Sequence, residues 1–298
     1  MTALRTLAGL LKDPPPGFAF ELSGAGIAAA RIARPPRFSF QPLEPDVLSV
    51  SPVRDNVLRP EALLAQVRAL APPNGNRKRR PAALILPDYS VRVSVLDFDA
   101  FPSDANEQLS LIRFRLKRSV PFDAESAAVS YHVQPEAGKG KRVDVVTAVA
   151  PLEIVARYEA PFRAAGFHPG WVTTSLLAAL QLVPPSGLKI LVKRSGQVLS
   201  IAVQDAGAIK LIRSIELSEV SAEETLAHLF PTLAYVEDQL RGKPDGLVLC
   251  GFGPLAEQVR ERCQVELGVA ASQLGSRFGE PGESNAGVMG YLESLEDY

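Results

Sequence analysis

Val91, Val93 and Val95 alternate with polar residues ahead of Leu96-Asp97-Phe98, the period-two pattern of a half-covered strand. A helix is predicted to open at Ser103/Asp104, to run through Ile112-Arg113-Phe114-Arg115-Leu116, and to stop at Val120-Pro121-Phe122-Asp123. Ala128 to Val133 then reads as a second strand. Upstream, Phe18 to Leu22 alternates weakly, Ser23-Gly24-Ala25-Gly26 forms a tight turn, and Ile27 to Ile32 returns as the partner strand. Phe38 to Gln41 and Val47 to Val50 are shorter strand candidates. Pro60 to Leu70 is a helix with Pro at its start and Leu63, Leu64, Val67 and Leu70 on one face. The continuous apolar run Ala82 to Leu86 suits a strand covered on both sides. The first twelve residues read as a short amphipathic helix carrying Leu4, Leu7 and Leu11, detached by Pro14-Pro15-Pro16.

The second half uses the same vocabulary. Helices are expected over Pro151 to Ala165 and Thr174 to Leu182, with a short strand at Trp171 between them. Leu188 to Val192, Val198 to Val203 and Ile209 to Ile215 form a meander. A long helix follows from about Ser221 to Leu240, kinked or broken at Pro231. Gly246 to Cys250 is a buried strand, Leu255 to Glu266 a helix, and Asn285 to Leu295 the closing helix, with Glu293 to Tyr298 a fraying end. Periodicity by itself implies an α/β protein of two lobes.

Composition narrows the functional classes. The chain has 298 residues, 46% of them hydrophobic, so it can bury a large core. A net charge of -1 gives no basic surplus for nucleic acid. The run Arg77-Lys78-Arg79-Arg80 reads as a solvated loop, with anionic lipid headgroups as the alternative. Cys250 and Cys263 are too few for a disulfide framework and read as core thiols of a reduced compartment. The histidines His132, His168 and His228 are widely separated, which argues against a metal or His-based centre. No signal peptide and no run near the ~18–20 apolar residues of a membrane span is present. A soluble cytoplasmic protein is expected.

Several segments, in order, resemble the type IV pilus assembly PilM family and, more distantly, the cytoplasmic domain of the type II secretion protein GspL. They are the Leu96-Asp97-Phe98 strand, Pro102, the acidic-start helix, Val120-Pro121-Phe122 and the strand at Ser130-Tyr131-His132-Val133. In the family this stretch belongs to an inserted subdomain shared with the division protein FtsA. Ala164-Ala165-Gly166-Phe167-His168-Pro169, followed by Leu176 to Leu180, looks like the family's crossover into its second lobe. Gly246 to Gly253 looks like its adenosine-loop strand.

The resemblance implies a duplicated actin-like (RNase H-like) α/β fold with an FtsA/PilM-type insertion and an abbreviated second lobe. The expected divisions are a tail (1–16), the first lobe (17–87 and 151–184), the inserted subdomain (88–150) and the second lobe (185–298). It also implies a cytoplasmic scaffold at the inner membrane that binds the N-terminal tail of a bitopic PilN-like protein and couples the platform to a motor ATPase. A homo-oligomer is left open, as is a secretion rather than a pilus system.

Active actin-like ATPases hold phosphates between two hairpins, each with an Asp followed by Gly and small or hydroxyl residues. At the first hairpin Glu21 stands where Asp is expected, ahead of Ser23, Gly24 and Gly26, and Ala28 where Lys is usual. The added methylene pushes a carboxylate about 1.5 Å further into a metal-water shell. At the second hairpin Lys193 replaces the metal-organising Asp, ahead of Ser195 and Gly196; an ammonium can meet phosphate but cannot ligate Mg²⁺. Between Ile215 and Gly246 only one helical segment fits where relatives wall the cleft, which would expose a base at a cost of roughly 25 cal/mol per Å². No ATP or Mg²⁺ cofactor and no ATPase activity are therefore expected; the competing reading is a working actin-like ATPase or small-molecule kinase. Gly251 and Gly253 would approach a base in an active relative, and otherwise make a strand-to-helix turn.

On the helix after Ser103, Leu109, Ile112 and Leu116 fall on one side, with Leu111 and Phe114 nearly opposite, bordered by Arg115 and Arg118. The second side either packs on the first lobe or borders a groove for the partner's tail. In the PilM family such a groove lies between the inserted subdomain and the first lobe. Trp171, the only tryptophan, reads as core. Glu223 and Glu224 favour the start of the long helix through its dipole.

Overall fold

The computed structural model describes residues 15–71, 78–135 and 142–295. The helix expected over Met1 to Lys12, residue Arg77 of the basic run, and Glu296 to Tyr298 lie outside the described residues.

The first sheet is built from β1 (Phe18–Leu22), β2 (Gly26–Arg31), β3 (Arg37–Pro42), β4 (Arg80–Leu86) and β8 (Phe167–Thr174), in the order β3-β2-β1-β4-β8. The first three are antiparallel, with Leu22 opposite Ile27, whereas β4 runs parallel to β1 and β8 parallel to β4. The second sheet comprises β9 (Leu188–Ser195), β10 (Val198–Asp205), β11 (Ala208–Glu216), β12 (Gly246–Cys250) and β13 (Ala271–Gln273), in the order β11-β10-β9-β12-β13. Its first three strands are antiparallel and the others parallel, so it repeats the first sheet strand for strand.

Helices cover both faces. On the outer face of the first sheet, α1 (Pro60–Leu70) and α3 (Leu152–Ala164) bury Leu63, Val67, Tyr158 and Phe162 against Phe20 and Phe167. On the outer face of the second, α5 (Ala222–Leu240) and α6 (Ala256–Arg262) bury Leu226, Leu229 and Val259 against Ile190 and Ile201. The inner faces exchange helices. Leu176 and Ala179 of α4 (Ser175–Ala179), which follows the first sheet, pack on Leu191 and Ala202 of the second. Val288 and Leu292 of α7 (Ala286–Glu293), which follows the second sheet, pack on Ala19, Ala28 and Ala83 of the first. The small residues let these inner helices approach closely: a Cβ at Gly290 would lie 2.0 Å from the Ala178 carbonyl oxygen.

Between β4 and α3 the chain makes a third, antiparallel sheet of β5 (Arg92–Phe98), β7 (Val143–Pro151) and β6 (Ala127–Val133), with β7 in the centre. Helix α2 (Ala105–Leu116) lies on one face, capped by Asp104, whose side chain accepts from the amides of Asn106 and Glu107. Ile112 and Leu116 pack there against Val145 and Val149. The intervening residues of β7, Val146 and Ala148, face the other way, towards the two lobes.

The observed elements differ from the expected ones at five places. Val47 to Val50 makes only a single bridge, Leu48 with Val57. The central strand β7 and the short β13 were not anticipated. Helix α5 is unbroken at Pro231: both Pro231 and Ala227, whose carbonyl loses its helical partner, are exposed, so the lost bond is not buried. The segment expected as a helix to Glu266 is helical over Ala256–Arg262 and ends in a π-turn over Cys263–Leu267.

Candidate functional site

The turns β1–β2 and β9–β10 face each other across a cavity of about 300 Å³ lined by Ser23, Gly24, Asp88, Gly196, Glu216 and Glu283. Parallel pairing of β1 with β4 and of β9 with β12 brings Glu21, Asp88 and Lys193 together beneath it.

Below the turns lies a buried charge cluster. Lys193 is 1% exposed and its Nζ sits 3.3 Å from Asp88 Oδ2. The other Asp88 oxygen accepts the Leu176 amide at 2.6 Å, at the start of α4. Glu21 Oε2 accepts the Val288 amide at 2.8 Å, in the first turn of α7, and its Oε1 accepts the Ser175 hydroxyl. Each carboxylate therefore meets unpaired amides at a helix start, the place where the backbone favours negative charge. Burial pushes the Glu21 carboxyl above the usual range, against the pull of Lys193 and the bonds from Ser175 and Val288. Burial alone would lower Lys193, but Asp88 and Glu21 together outweigh it and hold the ammonium above its ordinary value. Beside them burial raises the Cys250 thiol to about 12, so it stays protonated.

Above the cluster, the segment before α7 bridges the hairpins. Ser23 Oγ donates to Ser284 Oγ at 3.1 Å. The Gly196 amide donates to Glu283 Oε2 at 3.2 Å, and Arg194 pairs with the same carboxylate at 3.3 Å. The backbone donor of the second turn thus already holds an anion belonging to the protein.

The structure therefore groups Glu21, Ser23, Gly24, Lys193, Ser195 and Gly196 around one cleft, with Gly26 closing the first turn through the Ser23 amide at 2.9 Å. It corrects the positions of two polar groups. Glu21 does not extend towards a metal-water shell but turns into the interface of α4 and α7. Lys193, whose ammonium could have met a phosphate, is enclosed and paired with Asp88. Gly251 has an internal reason: at φ 78° its Cβ would lie 2.1 Å from the Arg194 carbonyl oxygen, a close approach that only glycine allows. Gly253, at φ 51°, would set a Cβ within 4 Å of nothing among the described residues, and it belongs to the strand-to-helix turn. Asp88, Ser175, Glu283 and Ser284 were not singled out; Asp88 directly after the apolar run ending Leu86-Pro87 is the one signal that could have found it.

The partner-binding candidates on α2 divide. Leu111 is half-buried against the core of its own subdomain, so it does not belong to an open face. Phe114 is 66% exposed, and Arg118 is exposed. Arg115 sits over the Phe98 ring and 3.6 Å from Asp97. None of the four lines the groove between the inserted sheet and the first lobe, because that groove runs along the opposite face of the sheet. It is a cavity of about 340 Å³ bounded by Val129, Ala148, Trp171, Val172 and Leu177. At Ser130, Ala148 and Leu177 it meets a second cavity of about 400 Å³ that reaches Gln204 and Ile209 of the second lobe. Trp171 is 38% exposed and packs 4.7 Å from the Tyr291 ring, so it is a groove wall rather than core.

Two sheets of one strand order, exchanging their inner helices around a cleft, define an actin-like fold, and solved structures agree. A chain of the PilM-PilN type IV pilus biogenesis complex is similar at TM-score 0.75 and 19% identity, over 94% of this chain and 99% of that one. A Bacteroides thetaiotaomicron protein with actin-like ATPase fold and unknown function matches at TM-score 0.57 and 14% identity, over 94% and 95%. The cytoplasmic domain of EpsL, an inner membrane component of the Vibrio cholerae type II secretion system, matches at 0.52 and 15%, over 93% and 94%. No protein-family model and no curated protein matches the chain. Among the described residues, no helix is long and apolar enough to cross a membrane.

Proposed function

We propose that the chain is a non-catalytic scaffold of an inner-membrane assembly platform of the type IV pilus or type II secretion kind. The buried Lys193–Asp88 pair carries this reading. A magnesium-nucleotide cradle needs carboxylates free to organise water around the metal and amides free to meet phosphate. Here Glu21 is committed to α7 and Ser175, Asp88 to Lys193 and α4, and the Gly196 amide to Glu283. The active ATPase or kinase alternative must break these contacts before it can begin.

The partner in this reading is the short N-terminal tail of a PilN-like membrane protein, seated in the groove beside Trp171. Strand β6 is an edge of the inserted sheet and β8 an edge of the first sheet, so an extended tail can add main-chain hydrogen bonds to either. A labelled peptide copying such a tail is expected to bind in fluorescence anisotropy. Trp171→Ala should weaken it about tenfold or more, roughly 1.4 kcal/mol or above. Val172→Lys should do the same without removing the Tyr291 contact, and Phe114→Ala should leave affinity unchanged. Loss on Phe114→Ala with none on the groove variants would return the site to α2.

A further inference from the structure

The end of the first sheet remote from the cleft concentrates positive charge. Strand register sets Arg37 opposite Arg31, and Arg31 opposite Phe18. Arg80 opens β4 at the same end, beside Phe167. The β2–β3 connection adds Arg34, the last turn of α1 adds Arg68, and the approach to β4 adds Lys78 and Arg79. Arg31, Arg34, Arg37, Arg68, Lys78 and Arg79 are all exposed. No acidic residue occurs between Glu21 and Glu44 or between Glu61 and Asp88, although the whole chain carries 33 acidic and 32 basic residues. At the end of α3, Glu159 is already paired with Arg163 at 2.6 Å. Arg80 has a structural task, stacking over Phe167 and donating to the carbonyls of Ala71 and Ala165. Arg31, Arg34 and Arg37 make no ion pair among the described residues. Phe38, next to Arg37, is 41% exposed.

We propose that this end of the first lobe docks on an anionic bilayer. Exposed cations at the strand and helix ends that share one end of the sheet lie on one side of the lobe, where an anionic surface within the screening length of about 8 Å attracts them together. An adjoining aromatic suits the headgroup layer. The choice of a bilayer over another polyanion rests on the reading of the chain as a membrane-platform component; the contact itself is additional to the peptide groove and on a different surface.

The test is co-sedimentation of the 298-residue chain with phosphatidylcholine vesicles with and without phosphatidylglycerol. Binding is expected only to the anionic vesicles and should fade with added salt. Each cation near such a surface contributes about fivefold, so the triple variant Arg31→Ala/Arg34→Ala/Arg37→Ala should lower partitioning about 100-fold. Its melting temperature and peptide affinity should not change, which separates failure here from failure of the scaffold reading. Equal binding to neutral vesicles, or full binding by the triple variant, overturns the proposal. So does tighter binding to duplex nucleic acid than to vesicles, or a dimer in solution that the triple variant loses.

Discussion

Lys193→Met is expected to lower the unfolding free energy by about 3–5 kcal/mol, the range found when one partner of a buried ion pair is removed. The substitution keeps the side-chain volume but leaves Asp88 and Glu21 enclosed without the cation that faces them. The loss should depend on pH with a defined sign. In the wild type, burial holds the folded pKa of Glu21 above the ordinary value of 4.5. Such a group favours folding below 4.5, and that advantage disappears as pH rises through the folded pKa. Removing Lys193 removes the main influence lowering that pKa, so the variant should fall further behind the wild type at pH 8 than at pH 5. Lys193 itself is raised above 10.5, so the wild-type pair should hold below that value and be lost as pH climbs through the higher folded pKa. Urea unfolding at several pH values measures both slopes. Adding Asp88→Asn should recover part of the loss, since Asn still caps α4 and no longer needs a counter-charge. A loss below about 1 kcal/mol, flat with pH, would mean that the pair is solvated.

Gly290→Val is expected to cost about 3 kcal/mol or more. Even the first added carbon would lie 2.0 Å from the Ala178 carbonyl oxygen and 2.9 Å from Ala179 Cα, both backbone atoms of α4. Neither can swing aside as a side-chain tip would, so α4 and α7 must separate, and overpacking of this kind costs 1–3 kcal/mol or more. The damage should reach both lobes, because α4 packs on the second sheet and α7 on the first. Gly17→Ala is the control: among the described residues a Cβ there would meet nothing within 4 Å, and the change should be neutral or slightly stabilising. Thermal melts of the two variants would separate an effect of close approach from a general intolerance of side chains at glycine.

The hairpins and the long helices were legible because each shows one period over its length. Pro60 to Leu70 is helical with those same bounds, and the strand at Gly246 to Cys250 likewise. Strand β7 was missed because it is the middle of its sheet: Val145-Val146-Thr147-Ala148-Val149-Ala150 has no polar face, so alternation is lost. Strand β13 is three residues long and ends in Ser272-Gln273, too short and polar for any pattern.

At the site, resemblance located Glu21 and Lys193 on their hairpins, but their roles depend on partners far away in sequence. Asp88 is 105 positions from Lys193, and Val288 is 267 from Glu21, so no local spacing records either contact. Leu111 was misjudged for a geometric reason. A helix lying on a broad sheet buries a wider arc than a two-sided wheel allows, and the flank holding Leu111 still reaches the core.

The charges and amides that would serve a metal and a triphosphate have partners inside the protein instead. The decisive measurement is calorimetric titration of the wild-type chain with Mg-ATP, with phosphate release followed in the same samples. No saturable heat up to about 1 mM nucleotide and no release above background are expected. Saturable binding at about 1 μM or tighter, accompanied by turnover, would instead mean that the cleft is a working nucleotide site.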